Sequence, residues 1–258
     1  GRGYDLWAVQ TNANGGPAYG FDQGFPADRW NQVGFWRADG VTTALLDTMP
    51  AWREPFFTFA MYTDAHAPYD PPAGYDTFFG PQPGITLSDA YNLLPSNFND
   101  FITELYTWWL TGEPMANFSF LSEGGVQAVR YRYDADVRSM DDQLDRLVTG
   151  IRAEYPNTVV VVTGDHGEDL YYRYILGHGN TVHREMTEVP LIFNGPGIDA
   201  ETRDQRVATI DLPPTLASIL GLPPLPQWHG RNLLHDTTAQ PVFFHNRNQF
   251  IAPVRSDA

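Results

Sequence analysis

Asp165 and His166 stand where a run of valines ends, in NTVVVVTGDHGEDL, Asn157 to Leu170. An acid and an imidazole side by side, followed by Gly167 to let the backbone turn, can hold a divalent cation between an oxygen and a nitrogen donor. Taken alone, the pair reads better as a helix cap and a satisfied core histidine. Two further imidazoles change the balance. His66 lies in TDAHAPYDPP, where prolines stiffen the turn, and His178 is flanked by glycines in GHGN, ahead of Glu185 and VPLIFNGPGI. Imidazoles near a bound cation can stabilise developing charge or deliver a proton.

Such groups need a scaffold that collects them at one edge. The clearest strands are Asp5–Thr11, Pro55–Thr63, Thr158–Gly164 and Val189–Gly195. All are continuous apolar runs, as strands covered on both faces require. A long helix precedes the valine run. Val126, Val129, Tyr133, Val137, Met140, Leu144, Leu147 and Ile151 recur every three or four residues, and Arg130, Arg132, Asp136, Arg138, Asp142 and Asp145 supply its polar face. Pro156 ends it. A second helix is expected in TIDLPPTLASILG, with Pro213 and Pro214 in its first turn and Gly221 closing it. The alternation of strand and helix predicts an α/β fold with a mostly parallel sheet and helices on both faces. Two of the polar clusters then fall at strand ends, where open α/β sheets bind ligands. Residues 71–125, rich in Pro, Gly, Asn and Tyr, read as an excursion from the sheet with one aromatic helix candidate, DFITELYTWWL.

Composition narrows the partners. A formal charge of −15 argues against nucleic acid, whose phosphates are met by Lys and Arg. Every basic residue is Arg, which suits either a salt-adapted host or a GC-rich genome. The absence of Cys excludes disulfides, thiolate metal sites and a cysteine nucleophile in this chain. No apolar stretch is long enough to span a membrane. Nothing indicates a compartment.

The order of these parts resembles the sulfatase family of the alkaline phosphatase superfamily. The resemblance rests on GYDLWAVQTNANGGPAYGFDQGF, TDAHAPYDPP, YDADVRSMDDQLDRL, VTGDHGE, GHGNTVHREMTEVPLI and ATIDLPPTLASILGLPPLPQWHGRNLL, in that order and over almost the whole chain. It implies an alkaline-phosphatase-like sulfatase core, truncated at both ends, with residues 1–236 a partial catalytic domain and 237–258 the start of a C-terminal region. By the same resemblance Asp165 and His166 are metal ligands, and His66 and His178 are catalytic groups on the transferred group or leaving oxygen. The implied ion is Ca2+, with Mg2+ or Mn2+ as alternatives. The implied substrate is a small-molecule or sugar sulfate ester.

The chain departs from the family in one respect. The family's nucleophile is a formylglycine made in a C/S-x-P/A-x-R motif, and no such motif occurs here. The first pair of metal aspartates also has no counterpart, so both are expected upstream of Gly1 and the isolated chain is expected to be inactive. The alternatives are a phosphatase, phosphonate monoester hydrolase or phosphoethanolamine-type transferase of the same superfamily, or a non-catalytic scaffold relative. Glu168 is a weaker candidate for supporting the ligands. His183 is expected to pack, His229, His235 and His245 to lie in solvated loops, and Asp141 and Asp142 to pair on the helix surface.

Overall fold

The first apolar run forms strand β1 (Asp5–Gln10) in a computed structural model that describes residues 3–12, 15–32, 37–67, 69–79, 123–172, 176–179, 182–238, 240–245 and 251–253. The chain divides into two compact units, Gly1–Thr158 and Val159–Ala258. In the first, β1 is flanked by β2 (Trp30–Gln32) and β3 (Phe56–Ala60), both parallel to it, in the order β2-β1-β3. Helix α1 (Ala38–Thr48) lies in the connection from β2 to β3. Parallel strands need such a crossover, here one that passes over β1, because a hairpin would leave the strands antiparallel.

Trp7 and Val9 on β1 leave the sheet on the same side as Phe56 and Ala60 on β3, where Phe56 is in register with Asp5 and Ala60 with Val9. There they meet Val41 and Leu45 of α1, Trp52, and Leu147 and Ile151 of the long helix α2 (Glu123–Glu154). Val41 and Leu45 are fully buried, and each contributes roughly 1.5–3 kcal/mol relative to exposure. Trp52 and Tyr155 tilt onto Phe56, with ring centroids 5.0 and 4.9 Å away. The opposite side of the sheet carries Phe25, whose ring lies 5.1 Å from Trp30 and 6.3 Å from Phe57.

Helix α2 ends just before the predicted Pro156 stop. Of the apolar stripe read from the sequence, Val129, Leu147 and Ile151 are buried, while Val126, Tyr133, Val137, Met140 and Leu144 are half-buried and Ala128, Ala135 and Ser139 are buried outside it. An acid departs further from that reading. Asp136, assigned to the polar face, is only 3% exposed. The cause is tertiary: the segment after β3 covers this part of α2, with Tyr69 edge-on to Tyr133 at 5.6 Å. Asp142, by contrast, lies in the expected surface pairing with Arg138, and also accepts the Tyr75 hydroxyl at 2.8 Å. Residues 80–122, which include the DFITELYTWWL helix candidate, lie outside the described residues.

In the second unit, β4 (Val160–Thr163) pairs antiparallel with β7 (Leu191–Asn194), Val160 opposite Asn194 and Thr163 opposite Leu191. Between them come a short hairpin, β5 (Asp169–Leu170) with β6 (Leu176–Gly177), and a single turn, α3 (Arg184–Thr187). Helix α4 (Leu212–Ile219) begins with Pro213 and Pro214 and closes as predicted. Gly221 takes φ +64°, its N–H bonds Ser218 O, and Leu222 N–H reaches Ala217 O. This left-handed closure satisfies carbonyls that the helix itself cannot. Asp211, at the start of α4, accepts the backbone N–H groups of Ala208 and Arg231, both at 2.9 Å. Strands β8 (Phe243–His245) and β9 (Ile251–Pro253) form a further antiparallel pair. Among the described residues no helix is long and apolar enough to cross a membrane.

Candidate active site

Strand β4 delivers its polar end as predicted. Asp165 and His166 follow Gly164, and their side chains are 64% and 42% exposed. Gly167 then turns the chain under the carbonyl of Glu185. A Cβ at Gly167 would collide with that backbone oxygen, while its N–H donates to Met186 O at 2.8 Å. So the residue after His166 has to be glycine, because α3 docks its main chain there.

The hydrogen bonds of His166 fix its ring. Its Nδ1 lies 2.9 Å from Gly167 O, and a carbonyl can only accept. Nδ1 therefore carries the proton in the neutral ring, and Nε2 keeps its lone pair. That Nε2 faces Asp165 Oδ2 at 3.7 Å, while Asp165 Oδ1 accepts the His166 backbone N–H at 3.0 Å. Two acceptors turned toward each other repel unless a proton or cation lies between them. One oxygen and one nitrogen donor in this arrangement suit a divalent cation.

His178 arrives from the β5–β6 hairpin. It lies between Gly177 at φ +100° and Gly179 at φ +88°, conformations a side chain rarely tolerates. Its ring centroid is 4.0 Å from that of His166. Its Nδ1 lies 2.7 Å from Glu168 Oε2, and the Glu168 side chain is only 6% exposed. The hydrogen bond to Glu168 raises the His178 pKa above the ordinary 6.5; burial opposes this, and the charges of Glu168 and Asp165 reinforce it. Donor atoms of His166, Glu168 and His178 all lie within 4.8 Å of one another.

His66 belongs to the first unit. The segment after β3 turns so that His66 N–H reaches Thr63 O at 3.0 Å, and the exposed imidazole places Nδ1 2.5 Å from Ala67 O. Like His166, it presents Nε2. The turn is held by acids that the sequence reading passed over. Asp64 accepts the first N–H of α1, from Ala38, at 2.9 Å. Arg37 clamps Asp70 through its carboxylate at 2.7 Å and its carbonyl at 2.5 Å. Asp136 accepts a backbone hydrogen bond from Asp70. One oxygen of Asp64 and one of Asp136 are buried without a hydrogen-bond partner. Burial pushes the Asp64 carboxyl up, and it pushes Asp136 from 3.8 to about 7 with help from the Asp64 charge.

The structure thus brings Asp165, His166 and His178 together and describes His66 within the other unit. Glu168, rated weakly in the sequence, is the buried partner of His178. The hairpin register that pairs them carries no motif of its own. His183, expected to pack, is exposed at the N-terminus of α3, where its backbone starts the turn. His229 and His235 are exposed as expected, and His245 falls in β8 rather than a loop.

The family model described as Sulfatase matches residues 2–222. The uncharacterized sulfatase YidJ of Escherichia coli (strain K12) is 26% identical over 185 residues, covering 70% of this chain and 35% of that protein. N-acetylglucosamine-6-sulfatase of Homo sapiens is 29% identical over 176 residues, covering 65% of this chain and 29% of its own length. Among solved structures, that of BT1596, a 2-O GAG sulfatase, matches with a TM-score of 0.65 at 17% identity, over 95% of this chain and 58% of that one. The likeness to that structure is one of fold, an alkaline-phosphatase-like α/β core. The chain spans about a third of the length of these curated relatives.

Proposed function

The chain belongs to the sulfatase family, and from that premise we propose that it carries part of the active site of a metal-dependent sulfuric ester hydrolase. The observation that supports this most is the arrangement at the end of β4: Asp165 Oδ2 and His166 Nε2 face each other, with the His178 ring tilted against His166 at 4.0 Å. Asp165 and His166 are the residues that would hold a divalent cation, Ca2+ in the family, with Mg2+ or Mn2+ as alternatives. When bound, such an ion supplies charge stabilisation to the ester oxygens.

The remaining work falls to the imidazoles. Nδ1 of each is taken, by Ala67 O for His66, Gly167 O for His166 and Glu168 for His178. Each ring therefore offers Nε2. At His166 and at a neutral His66 it is a lone-pair donor; at His178, whose protonated ring Glu168 favours, it can donate a proton to an oxygen of the sulfate or of the departing alcohol. We assign the nucleophile to a formylglycine outside this chain, because the sequence has no Cys and no Ser in the C/S-x-P/A-x-R pattern. A small-molecule or sugar sulfate ester is the substrate class.

Calorimetric titration with Ca2+, Mg2+ and Mn2+ tests the metal assignment. Wild-type protein is expected to bind at least one of them. Asp165→Ala and His166→Ala should each weaken binding at least about 10-fold, the low end of what even indirect supporting groups contribute. Undiminished binding in both variants would remove the pair from the site.

A further inference from the structure

Neither a metal pair nor an incoming sulfate requires a glutamate at position 168, yet the fold buries one there. The β5–β6 ladder explains how it reaches His178. Leu170 lies opposite Leu176 and Asp169 opposite Gly177, so the next rung toward the site pairs residue 168 with residue 178. Side chains of directly opposed residues leave an antiparallel ladder on the same face, close enough to bond. Glu168 Oε2 and His178 Nδ1 accordingly lie 2.7 Å apart.

Burying a carboxylate is costly unless hydrogen bonds replace its water. With 6% of its side chain exposed, Glu168 depends on such bonds, and the one to His178 is short and direct. On the other side of that bond stands a ring that could otherwise turn over. An imidazole flip exchanges Nδ1 with Cδ2 and Nε2 with Cε1 with almost no change in shape, so packing against His166 cannot choose between the two states. A carboxylate on one edge of the ring can choose.

We propose that Glu168 is a positioning residue: it accepts the Nδ1–H of His178 and so aims Nε2 at the transferred group. This rests on the reading of His178 given above. The bond is the buried counterpart of the Nδ1 contacts that His66 and His166 make to carbonyls of their own turns. His178 sits between glycines whose φ values are +100° and +88°. Its anchor comes instead from across the hairpin.

The test has a spectroscopic arm and a kinetic one. Long-range nitrogen–proton spectra of histidine-labelled chain, taken in alkaline buffer, report which ring nitrogen of His178 carries the proton. Wild type is expected to show it on Nδ1. Glu168→Gln, whose amide oxygen still accepts, should keep it there. Glu168→Ala should move it to Nε2, the form a free neutral imidazole prefers. If Glu168→Ala does not fold, Glu168→Asp withdraws the oxygen by one methylene and should mix the two forms. A His178 spectrum unchanged by Ala or Asp would overturn the proposal.

In the full-length protein that carries this sequence, Glu168→Ala should lower kcat on 4-nitrophenyl sulfate about 10–100-fold. KM should change little, and Glu168→Gln should restore most of the loss. A Gln variant as impaired as Ala would assign Glu168 a role through charge and overturn positioning. Absence of sulfate ester hydrolysis in the wild type would instead strike the functional reading, while the spectra would still decide the Glu168 contact.

Discussion

His178 differs from the other two imidazoles in what holds it. His66 and His166 lean on carbonyls of their own turns, at 2.5 and 2.9 Å, whereas His178 leans on a buried carboxylate from another strand. A carbonyl fixes a tautomer; a carboxylate also stabilises the protonated ring. For His178 the positioning contact comes from across the hairpin rather than from its own turn. On this reading His178→Ala in the full-length protein should reduce kcat by about 10²–10⁴-fold, the usual worth of a positioned acid. Steady-state rates on 4-nitrophenyl sulfate measure it, and a loss under about 10-fold would leave His178 a binding group at most.

At the scale of the element, α2 does two jobs along its length. Its C-terminal half supplies Leu147 and Ile151 to the core; its N-terminal half braces the turn that carries His66, through Tyr133 and Asp136. The brace is bought with a buried acid. The folded-state pKa of Asp136, about 7, is above its ordinary 3.8, so between these values the native protein binds more protons than the unfolded chain. Stability should therefore be greatest at the acidic end of this window and fall as pH rises through about 7. Asp64 shifts in the same direction. Asp136→Asn keeps an acceptor for the Asp70 N–H and removes the charge. It should raise stability above pH 7 by a few kcal/mol, on the order of the pKa displacement, and leave it nearly unchanged in mild acid. Urea unfolding at the two pH values checks this; an equal effect at both would mean that the Asp136 carboxyl has the same pKa in the folded and unfolded states.

For the whole molecule, the chain covers a fraction of its relatives: 35% of the Escherichia coli sulfatase and 58% of the solved 2-O GAG sulfatase. It holds the Asp165–His166 pair and both candidate catalytic histidines but no Cys and no Ser in the nucleophile pattern. Under the proposed formylglycine mechanism the covalent route needs a nucleophile from outside this sequence. Purified 258-residue chain is expected to show no turnover of 4-nitrophenyl sulfate. Measurable hydrolysis, lost in His178→Ala, would place a nucleophile inside this sequence and displace the formylglycine assignment.

Local patterns settled much of this in advance. Four apolar runs announced β1, β3, β4 and β7, the 3.6-residue period announced α2, and the prolines and Gly221 announced α4, because each depends on neighbours a few residues away. DHGE and HAPY marked Asp165, His166 and His66 as candidates, and the local part of that reading is the contact each of the two rings makes to the next residue's carbonyl. What the sequence left open depends on partners distant along the chain. The polar look of Asp136 hid its burial, since the cover comes from Tyr69 and Asp70, brought over α2 by the return from β3. Glu168 read only as a weak supporting candidate because its place opposite His178 appears only with the β5–β6 register. The requirement for Gly167 is likewise explained only by the Glu185 carbonyl packed above it. Charge and periodicity are properties of a residue and its neighbours. Which buried acid meets which imidazole is decided by how the elements close on one another.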